Sequence, residues 1–272
     1  MAIITVSRGT FSGGKALAER LSKRLGYRCI NRDMLVRKAA TSRVSEHDLR
    51  AALELPPAFP GRFNHTRYVY LALIQAALTE EVRSGCAVYH GLAGHLLLKG
   101  APGLLRLRII APMEYRIRMA QERLNLIRSE AITHIKAVDR DRRRWTQFLY
   151  GLNWGEPSLY DFLINLEHTS VEQACHAVAS LVESGGFELS PEGHAALDDL
   201  ALASKVRAAL AQDPYTLNLE VEVESRGGSI LVRGDFDEEA EAIRRVVGAI
   251  AGVTGIAVDG VVVPASTDEE LR

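Results

Sequence analysis

An α/β protein in two parts is predicted: a parallel sheet flanked by helices over residues 1–184, and a small α-β-β-α-β domain over residues 199–264. Three observations carry the prediction. Short apolar runs alternate with helical periods through the first part, the pattern of a parallel sheet covered on both faces. The rhythm breaks at "SGGFELSPEGHAALDD", whose glycine, proline and small polar residues read as a linker over 185–198. Beyond it, strict period-two alternation begins in "LNLEVEVES".

The elements follow in order. "AIITVS", 2–7, reads as a buried strand, and 13–25 as its helix, with Leu17, Leu21 and Leu25 on one face. "YRCI", 27–30, is a second strand. A helix over 66–84, carrying Tyr70, Ile74, Ala77 and Leu78 inward, leads into "CAVYHG" at 86–91. "LLRLRIIAP", 104–112, is a fourth strand with a helix over 113–124, and "DFLIN", 161–165, is a fifth with a helix over 170–184. The second part reads as a helix over 200–212, two strands joined at "RGG", a helix over 237–250 and the strand "GIAVDGVVV", with a tail at 265–272.

Composition narrows the function. With 47% hydrophobic and 25% charged residues over 272 positions, the chain can bury a core. No run reaches the roughly 18 apolar residues of a membrane span, and the start lacks a basic segment followed by an apolar run, so a soluble cytoplasmic protein is expected. Cys29, Cys86 and Cys175 stand apart, without the spacing of a zinc site or disulfide framework. Net charge is −1, yet residues 1–198 carry +6 and residues 199–272 carry −7. The basic part suits an anionic ligand, and the acidic part argues against nucleic acid.

The chemistry concentrates in "SRGTFSGGKA". Gly9, Gly14 and Lys15 fit the spacing G-x-x-x-x-G-K between a strand and a helix, where backbone N–H groups and a helix N-terminus can surround phosphate. The next position should carry a Mg²⁺-binding hydroxyl and is Ala16. No metal site is expected elsewhere: His90 and His95 flank a turn without a third ligand. Trp145, Trp154, Tyr150 and Tyr160 read as packing anchors.

These residues, with "NRDML", "HLLLKGAPGLLRLRIIAPMEYRIRMAQER" and "AVDRDRRRWTQFLYGLNWGEPSLYDFLINLEHTSVEQA", make residues 1–184 resemble the P-loop nucleotide kinases, most nearly the cytidylate kinase-like family. The resemblance implies a P-loop nucleotide-kinase-like sheet with ATP as phosphoryl donor, and it leaves room for Mg²⁺ beside the nucleotide although the usual hydroxyl ligand is absent. Gly9, Thr10, Phe11, Ser12, Gly13, Gly14, Lys15 and Ala16 would hold the nucleotide, and Lys15 with the lid arginines Arg140 and Arg143 would be catalytic. Arg32, Asp33 and Arg37 would bind a small anionic acceptor such as a pyrimidine nucleoside monophosphate. Where cytidylate kinases continue the third strand with glycine-arginine-aspartate, this chain has Leu92 and Ala93. A rival reading is a catalytically impaired nucleotide sensor. Residues 199–264 resemble a BON domain, which implies a protein or membrane-associated partner; the sequence leaves the oligomeric state open.

Overall fold

The structure, a computed structural model, describes residues 2–41, 43–54, 65–91, 93–236 and 238–260. Leu92 and the proposed tail at 265–272 lie outside these residues. In chain order the elements are β1 (Ile3–Arg8), α1 (Gly14–Leu25), β2 (Arg28–Asn31), α2 (Arg32–Ala39), α3 (Glu46–Glu54), α4 (His65–Val82), β3 (Ala87–His90) and α5 (Gly94–Leu97). β4 (Leu104–Ile110), α6 (Met113–Leu124), α7 (Arg128–Tyr150), β5 (Phe162–Asn165) and α8 (Val171–Glu183) follow. The chain continues through α9 (Pro191–Leu210), β6 (Val221–Arg226), β7 (Ser229–Gly234), α10 (Ala240–Gly248) and β8 (Gly255–Gly260).

The chain divides into two compact units, one of residues 1–63 and 77–197, the other of residues 64–76 and 198–272. In the first, five strands lie in the order β2-β3-β1-β4-β5, all parallel. β1 is central, and its alternation sends Ile4 and Val6 into a core with Leu17 and Leu21 of α1, Leu105 and Leu107 of β4, and Val178 of α8. The opposite face is more polar: Thr5, Ser7, Tyr89 and Arg108 are all buried there. A parallel sheet buried on both faces ordinarily reads as unbroken aliphatic strands. This one carries a polar layer beneath the loop that follows β1.

The second unit holds a three-stranded sheet, β6-β7-β8, antiparallel at β6/β7 and parallel at β7/β8. Val206 and Leu210 of α9, Val221, Val223, Ile230 and Val232 of the strands, and Ile243 and Val247 of α10 fill its core. Residues 64–76 join it: the Tyr68 hydroxyl donates to the Val221 carbonyl at 3.3 Å, and Arg207 donates to Gln75 at 2.8 Å.

The segment read as a linker is partly helical, because α9 starts at Pro191 and not at 200. Ser190 accepts from the Gly193 N–H at 3.1 Å, so Ser190-Pro191 is a capping residue followed by a helix-starting proline. α2, α3 and α5 are short helices absent from the sequence reading.

Candidate functional site

Gly9–Gly13 turn the chain at the carboxyl edge of the central strand, between β1 and α1. The buried Ser12 fixes the turn: its hydroxyl donates to the carbonyls of Gly9 and Ile109, at 2.9 and 3.1 Å. Gly13 caps α1 at φ 87°, a left-handed conformation in which a Cβ would also meet Leu166 at 2.6 Å. At Gly14 a Cβ would lie 2.7 Å from Arg8, so its absence lets that arginine lie against the helix start. No side chain caps α1, and the positive end of its dipole faces the loop.

A cavity of about 220 Å³ opens over the loop, lined by Arg8, Ser12, Lys15, Arg123, His134 and Arg142 together with neighbouring loop residues. Its roof is the hairpin of α6 and α7, whose apolar seam is Ile117, Ala120, Ala131 and Ile135. Phe11 packs on that seam and lies 6.0 Å from the His134 ring. This packing offsets its left-handed backbone at φ 59°, which costs roughly 1–2 kcal/mol in a residue with a Cβ.

Hydrogen bonds tie the hairpin to the loop. Asp139 accepts from the Thr10 N–H at 3.0 Å and the Thr10 hydroxyl at 2.8 Å, and pairs with Arg116. Arg116 also donates to the Thr10 carbonyl at 2.7 Å, and Arg142 to the Arg8 carbonyl at 3.1 Å. Burial opposes ionisation of Asp139, but the bonds from Arg116 and Thr10 outweigh it and hold its carboxyl below the ordinary value. Burial, aided by the nearby Arg8 charge, pulls Arg142 down to about 10, so it remains a cation at neutral pH.

Beneath the loop, the buried Arg108 guanidinium lies 3.8 Å from the Trp154 ring centre. Ser7 joins it to its neighbours: Trp154 Nε1 donates to the Ser7 hydroxyl at 2.9 Å, and Arg108 approaches the same oxygen at 3.4 Å. The Tyr160 hydroxyl donates to the Trp154 carbonyl at 2.9 Å. Trp154 and Tyr160 are thus packing anchors that also carry polar bonds to β1. His90 and His95 are buried, each with one ring nitrogen lacking a partner, and burial lowers both to about 4.

The structure brings some sequence-predicted residues together and separates others. Thr10, Phe11, Ser12, Gly13, Gly14 and Lys15 line the cavity. Lys15 is half-exposed, 3.7 Å from Glu19. Arg140 and Arg143 are exposed and are not among the lining residues; Arg142 is. The burial of Ala131 and Ile135 fixes the rotation of α7, and the same stripe continues through Asp139, Arg142 and the buried Thr146. That stripe was readable, whereas the clustering of arginines obscured it. Asp33 lies in the first turn of α2 and pairs with Arg50, which lowers its pKa, and Arg37 is exposed on the same helix. Arg32 sits near enough for its charge to act on Arg8 and Arg142. Arg8, Arg123, Arg116 and Asp139 escaped the sequence reading because nothing local marks them.

The lining does not suit a magnesium ion, which keeps several waters and is ordinarily held through one or two carboxylates beside the substrate phosphates. Position 16 is alanine, and no lining residue is a carboxylate. Among the described residues no group of three or more His, Cys, Asp or Glu could hold a metal.

A parallel sheet whose central strand passes through a glycine loop into a helix, under a cationic helical hairpin, defines the P-loop nucleotide-kinase class. Residues 3–168 match the model of the Cytidylate kinase-like family, and the chain belongs to that family. Residues 198–265 match the BON domain. Two curated relatives, each named a cytidylate kinase, are 25% identical: one from Thermococcus kodakarensis over 72% of this chain and 94% of its own, the other from Pyrococcus horikoshii over 71% and 92%. A solved structure of an uncharacterised protein from Eubacterium ventriosum shares the fold, with a TM-score of 0.55 and 17% identity, over 68% of this chain and 99% of its own.

Proposed function

We propose that the protein binds ATP over Gly9–Lys15 and transfers its terminal phosphoryl group to a small anionic acceptor. The observation that carries this reading is the convergence of Arg8, Lys15, Arg123 and Arg142 on one cavity at the loop. Phosphoryl transfer demands positioning and neutralisation of spreading charge more than covalent help, and cations fixed above a glycine loop supply both. Lys15 stands at the transferred group, while Arg123 and Arg142 take the lid role that the exposed Arg140 and Arg143 are less well placed to fill. Arg32, Asp33 and Arg37 form the acceptor side, and the relatives' name directs the acceptor test to CMP. The BON domain contributes a contact with a protein or membrane-associated partner in the cytoplasm; no helix among the described residues is long and apolar enough to cross a membrane.

Calorimetry with ATP on wild type and Lys15→Ala, followed by phosphate-transfer assays with CMP, tests the reading. Equal affinity in the two proteins would remove the loop from the binding site. The poor fit to magnesium favours a second reading, a nucleotide sensor; ATP binding without transfer to any nucleoside monophosphate would select it.

A further inference from the structure

We propose that the triphosphate occupies the cavity as an uncomplexed polyanion, with guanidinium and ammonium groups of this chain supplying the counter-charge otherwise carried by a metal ion. The inference rests on the nucleotide-binding reading and deepens it. In nucleotide kinases of ordinary design, Mg²⁺ bridges the phosphate oxygens and neutralises them. Here the hydroxyl at position 16 and any lining carboxylate are missing, and the cations that would make the ion redundant are present.

Four lining residues, Arg8, Lys15, Arg123 and Arg142, carry positive charge, and they are poorly compensated. Among the described residues, Arg8 and Arg123 have no carboxylate within 4 Å. Arg8 Nε is buried with no hydrogen-bond partner. Arg142 stands 3.9 Å from Asp139, and Lys15 stands half in solvent beside Glu19. Asp139, on the neighbouring turn of α7, is not in the lining and is held by Thr10 and Arg116. A free polyphosphate would satisfy these groups directly through charge-assisted hydrogen bonds. A divalent ion carried in with it would cancel part of the charge that attracts the ligand and would find no carboxylate in the lining to hold it.

The test is titration of the full chain with ATP in excess EDTA and, separately, in excess Mg²⁺. The expected result is binding in EDTA at least as tight as in Mg²⁺. Arg123→Gln, at an exposed position in the last turn of α6, is expected to weaken metal-free ATP by about tenfold and magnesium-bound ATP by less. Binding only in Mg²⁺, or an Arg123→Gln loss that is the same in both solutions, would overturn this proposal and leave the nucleotide reading standing. Binding in neither solution would overturn both.

Discussion

The carboxylate of Asp139 receives both the backbone N–H and the hydroxyl of Thr10, at 3.0 and 2.8 Å, joining residues 129 positions apart in sequence. One acid of α7 therefore holds the glycine loop at Thr10 and neutralises Arg116 at the same time. Asp139→Asn keeps the shape but leaves the largely buried Arg116 without its counter-charge. A loss of about 2–4 kcal/mol in denaturant unfolding is expected. Because the Asp139 carboxyl ionises below its ordinary range, its contribution persists at neutral pH and disappears only as pH falls through that lowered value.

The rotation of α7 separates its arginines. Arg142→Ala is expected to weaken ATP binding about tenfold or more, whereas Arg140→Ala and Arg143→Ala should each stay within about twofold. Calorimetry on the three variants checks the order, and a larger effect at Arg140 or Arg143 would place them, and not Arg142, over the phosphates.

His90 and His95 are held neutral by burial, with folded values of about 4 against 6.5 for a free histidine. The unfolded chain takes up these protons first, so stability is full above pH 6.5 and declines as pH falls toward 4. The slope is expected to reach up to about 1 kcal/mol per pH unit for each histidine. Unfolding midpoints across that range should flatten in His90→Gln and in His95→Gln; an unchanged slope in both would show that other groups dominate.

Trp154→Phe keeps most of the ring beneath Arg108 but removes the donor to Ser7. A destabilisation of about 1–2 kcal/mol is expected from the lost bond and the weaker cation–ring contact. Urea unfolding of this variant beside Tyr160→Phe would measure it.

The proposed partition at residues 185–198 makes a prediction about truncation. Phe187 packs on the core of the first unit, and Leu189 lies over Gly103. A chain ending at 197 should therefore be more stable than one ending at 184, by about 2 kcal/mol. Residues 198–272 alone lack Tyr68 and Gln75, so that fragment should unfold at a lower urea concentration than the same region in the whole chain. Equal stability of the two truncations would show that 185–197 contributes nothing to the first unit.

The sequence by itself determined the alternation of strands and helices, the glycine loop with Lys15, the polar–apolar rhythm of β6 and β7, and the resemblance of each part to its family. These follow from spacing within one element, where period and capping act over a few residues. The helical start at Ser190-Pro191 was equally local, and the surrounding glycines masked it. Tertiary structure alone decided which cations line the cavity over the loop. Arg8, Arg123 and Arg142 come from a strand end and two different helices, and the angle at which α7 presents Arg142 is set by the burial of Ala131 and Ile135 against α6. The pairing of Asp139 with Thr10 is of the same kind. A carboxylate finds its partner there because a hairpin folds back over a loop, and no local spacing records that meeting.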